Sequence, residues 1–267
     1  MLKTFKYLIM LAGILNFCYA YSLAAQTGGT SPVVDGSLVV LGGEYDYILD
    51  RTLKSSDIKN GKISEESTFY AKLTFKIADF LSVYTKAGMS NLKTEMDIPN
   101  GSKLKEDYDF GFYGGAGAKI SYQLMPRLRA ALDNQLNFWK CDIRDVDYLS
   151  WHITSQTGHI SIWEYQLAGI LSYTIDHNKL ISPAQGEFPK LTPYLGLKYA
   201  YLKMDSNVTA IGDGISVTAP HIRKNDDNVG IIFGLDITFD SLSGFAFNIE
   251  GRFLDETAIS GYLNYSF

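Results

Sequence analysis

From about Ser37 to the last residue, apolar side chains recur at every second position, in one segment after another. Each segment runs for about ten residues, and polar stretches separate them. A period of two puts successive side chains on opposite faces of an extended chain, so each segment describes a strand with one apolar and one polar face. Beyond residue 25 no apolar run approaches the roughly eighteen residues a membrane helix needs. Strands of this kind must hide their apolar faces against each other or immerse them in lipid.

The first strand runs from about Ser37 to Asp50, with Val39, Leu41, Gly43, Tyr45 and Tyr47 on one face and Glu44 and Asp46 on the other. The second sets Phe69, Ala71, Leu73, Phe75 and Ile77 against Lys72, Thr74 and Lys76. A turn near Asp79 leads to the third, through Leu81, Val83 and Ala87. The fourth carries Phe110, Phe112, Ala118, Ile120 and Tyr122, and the fifth, after Met125-Pro126, carries Leu128, Ala130, Leu132, Leu136 and Phe138. Asn134 falls among these apolar positions as a misfit. Trp163, Tyr165, Leu167, Leu171 and Tyr173 mark the sixth strand, Leu195, Leu197, Tyr199 and Tyr201 the seventh, and Val229 to Phe239 the eighth. Phe245, Phe247, Ile249 and Phe253 mark the ninth, and the tenth ends on Ile259, Gly261, Leu263, Tyr265 and Phe267. The count is about ten, with eight possible.

Polar stretches at 51–66, 91–107, 140–159 and 206–227 read as long loops, and the connections between them as short turns. The Asp255-Glu256 connection is short although it falls on the long-loop side. Alternating long and short connections are expected of an all-β, closed, antiparallel up-and-down transmembrane barrel, whose closure removes free strand edges. Apolar-face aromatics gather at strand ends: Tyr45, Tyr47, Phe110, Phe138 and Trp163 toward one rim, and Phe75, Tyr122, Tyr173, Phe239 and Phe267 toward the other. Paired aromatic girdles of this kind flank the lipid-facing band of such barrels.

The polar face is mixed in sign. Glu44, Lys72, Lys86, Lys119, Arg127, Arg129, Asp133, Glu164, Lys198, Asp236, Glu250 and Arg252 form the expected charge network of the lumen. Barrels of about eight strands are filled by side chains and open channels appear near sixteen, so these charges read first as a structural plug and second as a narrow conduction path.

Residues 1–25 read as a signal peptide, with Lys3 and Lys6 before an apolar stretch from Tyr7 to Cys18 and cleavage between about Ala20 and Ala25. Residues 26–267 then form one barrel domain, led in by a short segment at 26–36. Removal of the leader leaves Cys141 as a lone cysteine, so no internal disulfide is expected. The 18 Tyr, 15 Phe and 24 Gly against 7 Pro suit strands and tight turns. A net charge of −5 gives no basic face for nucleic acid.

Catalytic motifs are sparse. No H-E-x-x-H or G-x-S-x-G sequence occurs, and no metal or cofactor is expected. Gly111 to Lys119 imitates a phosphate loop, but it lies within a strand, where inward Gly115 and Gly117 serve better to relieve crowding. Asp145, Asp147, His152, His159 and His221 are the residues available for a rim hydrolase, and Asp226-Asp227 or Asp205 with Asp213 for a cation; solvated loop carboxylates account for both sets.

The chain resembles the small bacterial outer-membrane barrels of the OmpA and opacity types, by its alternation over 37–256 and most closely in the terminal hairpin E-G-R-F-L-D-E-T-A-I-S-G-Y-L-N-Y-S-F. That resemblance implies an integral, non-enzymatic surface protein held in outer-membrane lipid, with loops able to meet an extracellular ligand. It also implies that Leu263, Tyr265 and Phe267 present a terminal signal to the outer-membrane assembly machinery. A narrow porin-like channel and a rim hydrolase similar to the omptin proteases remain as alternatives.

Overall fold

A computed structural model describes residues 39–54, 59–97, 103–148, 153–175, 189–212, 215–239 and 244–267. The expected signal peptide and the lead at 26–36 lie outside them. Eleven strands form one sheet: β1 (Val39–Lys54), β2 (Lys59–Ala78), β3 (Leu81–Asp97), β4 (Lys103–Met125), β5 (Leu128–Tyr148), β6 (Ile153–Tyr173), β7 (Lys190–Gly212), β8 (Ile215–Asn225), β9 (Val229–Thr238), β10 (Phe245–Phe253) and β11 (Thr257–Ser266). Every pairing is antiparallel, and β11 returns to β1 from Val40↔Ser266 to Asp50↔Thr257. The sheet is therefore a closed barrel.

The eleven strands make ten staves, because β8 and β9 share one. The long strand β7 pairs with β9 along Lys190–Tyr199 and with β8 along Lys203–Gly212. Asp226 to Asn228 link the two halves. Above that link, β8 crosses to β1 through Leu53↔Asn225 and Lys54↔Lys224. The barrel is thus ten staves wide below and eight above, since β10 and β11 stop beneath the point where β8 meets β1.

The expected faces hold throughout the lower barrel. Leu132, Leu136, Leu195, Leu197, Ile249 and Leu263 face outward and are exposed, while Lys72, Asp133, Lys198 and Glu250 point in and are buried. Near the upper rim of this apolar band Tyr45 meets Phe69 at 4.4 Å and Phe138 meets Trp163 at 4.6 Å between ring centroids. Near the lower rim Phe245 meets Tyr265 at 4.7 Å and Tyr265 meets Phe267 at 5.6 Å. Asn134 is satisfied on the outer face: its Nδ2 donates to the Tyr165 hydroxyl at 3.1 Å.

The four long loops are corrected. Strand pairing continues through most of 51–66, 91–107, 140–159 and 206–227, so all four are extended hairpins. Their outer faces carry charge pairs instead of apolar side chains, such as Lys93 with Glu65 and Lys103 with Glu95. With polar residues on that face, the alternation that marks a strand fades while the ladder continues. Strand pairing here rests on backbone bonds and on an inner face that stays apolar through Leu92, Met96 and Ile160.

Candidate functional site: the charged lumen

Ten of the twelve expected lumen residues are buried: Glu44, Lys72, Lys86, Lys119, Asp133, Glu164, Lys198, Asp236, Glu250 and Arg252. Arg127 and Arg129 are the two that are not buried. Arg127 is exposed in the turn, and Arg129 sits at the short-turn rim, where its Nη2 donates to Gln123 at 3.1 Å. Both follow the period-two pattern, but the stave ends beneath them.

Inward side chains fill the barrel in successive layers. In the lowest, the Tyr194 hydroxyl donates to Glu250 at 2.9 Å and Asn248 donates to Asp236. Next, Lys72 lies 3.6 Å from the Tyr84 ring centre, and Tyr84 donates to Asp133 at 2.6 Å. Lys86 donates to Gln135, which donates in turn to Gln166, both at 2.6 Å. Gly117 makes room for this layer, since a Cβ there would sit 2.4 Å from the Tyr84 hydroxyl. Gly117→Val is expected to push Tyr84 off Asp133 at a cost of about 1–3 kcal/mol. A lower temperature for the folded-to-unfolded gel shift would show it; an unchanged shift would refute the crowding account.

The densest layer is a knot at the level where ten staves become eight. Arg51 pairs with Glu164 at 2.6 Å and with Glu256. Lys198 holds Asp255 at 2.8 Å and also Glu256, while Arg252 reaches Glu256 at 2.9 Å and binds Asp46. Ser260 donates to Asp46 at 2.7 Å. The Asp255-Glu256 turn, read from the sequence as a short connection, is therefore inside: both residues are 3% exposed. The short β10–β11 hairpin ends under β8, and its tip folds inward. Leu254 has a φ of 83°, and Gly230 leaves space that a Cβ would contest with Asp255 Oδ1 at 1.9 Å.

Two further layers close the lumen above the knot. Leu53, Ile63, Leu92, Trp139, Cys141, Ile160, Ile162, Leu202 and Met204 form an apolar core inside the extended hairpins. Cys141 is a packed thiol of that core, its Sγ 3.1 Å from the Ser90 carbonyl. Above it Arg223 binds Glu106 at 3.1 Å, and Thr94 and Tyr108 donate to the same carboxylate at 2.7 and 3.0 Å. Below the apolar core, a cavity of about 50 Å³ remains within the polar layers, bordered by Glu44, Arg51, Lys72, Asp133, Glu250 and Trp139 among others. It has room for roughly three or four waters.

Arg51, Glu66, Glu106, Arg223, Asp255 and Glu256 are buried charged positions of the lumen that the sequence pattern misses. Strict alternation puts Arg51 on the outer face, but the register slips between Ile48 and Asp50. That bulge turns Arg51 inward. Glu106 and Arg223 lie in stretches polar enough to read as loops; the period-two run Leu92, Thr94, Met96 was the signal that could have found their layer.

Among the described residues, the strand register does not draw those suggested for a rim hydrolase together. Asp145 and Asp147 are exposed on the outer face of β5 on either side of buried Val146. His159 stands opposite Asp142, also off the lumen, and His221 occupies a β8 position opposite Ser206. His152 lies outside the described residues. For a cation, Asp226 is paired with Lys54 and Asp205 with Lys203, and Asp213 is outside the described residues.

No family model and no curated protein matches the sequence. Among solved structures, the translocator domain of autotransporter NalP from Neisseria meningitidis is 15% identical over 99% of this chain and 98% of its own, with a TM-score of 0.47. The outer membrane protease OmpT from Escherichia coli is 9% identical over 91% of this chain and 100% of its own, also at 0.47. The outer membrane protein OprG from Pseudomonas aeruginosa is 14% identical over 86% and 96%, at 0.43. At such scores the likeness adds nothing to what the closed hydrogen-bond ring establishes.

Proposed function

We propose that the chain is an integral bacterial outer-membrane barrel with a structural or surface-interaction role, its lumen a plug and its four extended hairpins the contact regions. One observation carries this reading. The interior is filled from the lower polar layer through the charge knot to the apolar core and the Glu106–Arg223 layer, leaving a void of about 50 Å³. A conducting lumen needs a continuous wet path, and the Trp139 layer interrupts it. The outward band of Leu, Ile, Val and aromatic side chains, rimmed by the paired rings, supports immersion in lipid. Leu263, Tyr265 and Phe267 lie on that lipid face of the sealing strand, in keeping with a role in assembly.

The purified chain is expected to migrate in two heat-interconvertible forms on gels and to give no steady single-channel current in planar bilayers. Shortening the hairpins around 55–58, 98–102, 149–152 and 213–214 is expected to abolish attachment of surface-displaying cells to their target while the gel shift persists. Steady currents from the unaltered chain, altered by Glu250→Ala, would replace the plug with a pore.

A further inference from the structure

Three lysines face outward side by side where the barrel narrows. Lys54 on β1 stands opposite Lys224 on β8, and Lys224 stands opposite Lys203 on β7. Their strand neighbours Leu53, Leu202, Met204, Arg223 and Asn225 all point inward and are buried, which fixes the three ammonium groups on the outer wall. Like charges directly opposed across a ladder are destabilising. The row continues through Lys203↔Trp163 and Trp163↔Phe138 into the upper aromatic pair of the apolar band.

Asp205 and Asp226 pair with two of the three lysines, and Asp227 is exposed beside Asp226. Lys203 meets Asp205 at 2.9 Å and Lys54 meets Asp226, both as solvent-facing pairs. Exposed pairs of this kind contribute little and exchange readily. Lys224, the middle cation, lies 5.8 Å from the centre of the Tyr201 ring. Apolar side chains adjoin the row: Ile222 is 59%, Val229 57% and Leu254 68% exposed. Leu254 lies at the tip of the β10–β11 hairpin, which stops where the eight-stave wall rises, so a ledge flanks the lysines.

We infer that this ledge, formed by Lys54, Lys203 and Lys224 beside Ile222, Val229 and Leu254, binds a membrane lipid with a phosphorylated head group. The lysines receive the phosphate and the exposed aliphatic groups receive the proximal acyl chain. A multiply charged phosphate can engage all three lysines together, whereas Asp205 and Asp226 each hold one, and a lysine row at the rim of a lipid band meets head groups by position. The inference rests on the outer-membrane reading, and its test separates the two.

The full chain, folded in detergent micelles, is titrated with a lipid bearing two phosphate monoesters, with the same lipid after dephosphorylation, and with inorganic phosphate, and retention is read by native mass spectrometry. The phosphorylated lipid is expected to be retained at least tenfold more tightly than the dephosphorylated one, with inorganic phosphate competing only at much higher concentration. Lys54→Gln, Lys203→Gln and Lys224→Gln together are expected to remove that preference. Lys62→Gln with Lys103→Gln, at outward lysines elsewhere on the wall, is expected to keep it. The inference is overturned by equal retention of both lipids, by competition from phosphate alone at equal concentration, or by equal losses in the two lysine sets. A heat-modifiable gel shift in every variant shows that the barrel itself is intact; its absence in the unaltered chain would instead overturn the outer-membrane reading.

Discussion

Arg51→Ala is expected to destabilise the barrel by about 3–5 kcal/mol, the cost of leaving buried Glu164 without its cation. Glu164 and Glu256 both rest on this guanidinium, and all three side chains are at most 5% exposed. The charge does not disperse to other partners easily, because Lys198 and Arg252 already serve Asp255, Glu256 and Asp46. The effect concerns removal of one partner. Whether the intact knot stabilises more than a well-packed apolar layer would is a separate matter, since desolvating its charges opposes their attraction. The measurement is reversible urea unfolding in lipid vesicles, with Lys103→Ala as reference. Lys103 makes an exposed pair with Glu95 at 2.8 Å, and its loss is expected to cost under about 1 kcal/mol. Equal effects from the two substitutions would mean that the knot contributes no more than surface charge.

Trp139→Ala is expected to cost about 3–5 kcal/mol by opening a cavity in the core of the upper barrel. Trp139 is 2% exposed, and the Tyr113 ring packs 5.8 Å from it between centroids. Trp139 sits inside the barrel at the level of the Phe138–Trp163 pair, and the stability of its layer comes from apolar side chains meeting there. The loss should therefore appear first in the extended hairpins, as protease cleavage near 98–102 and 149–152 while the lipid-embedded staves stay protected. If Trp139→Ala left both stability and hairpin cleavage unchanged, the upper barrel would not be a packed unit. A conductance that appeared in this variant and not in the unaltered chain would identify the layer as the seal of the lumen.

These residues show where pattern reading stops. Lys72, Asp133, Glu164 and Lys198 were legible because one face of each stave is immersed, so polarity alone reports direction. Arg51 was not, because a single bulged residue reverses the parity of the rest of its strand and no local propensity announces it. Asp255 and Glu256 resembled any short acidic turn. Their burial depends on β8, whose last residue is thirty positions before Asp255, crossing to β1 overhead.

The alternation by itself determined an all-β closed barrel, the direction of nearly every lower-barrel side chain and the positions of the aromatic rims. It could do so because immersion applies the same two-sided constraint to each strand in turn. The tertiary structure alone decided that the polar stretches continue as hairpins, that ten staves narrow to eight, and that the last hairpin ends in a buried knot. Those outcomes depend on which strand lengths meet across the closure and where register slips, and pairing between distant segments leaves no period in any one of them.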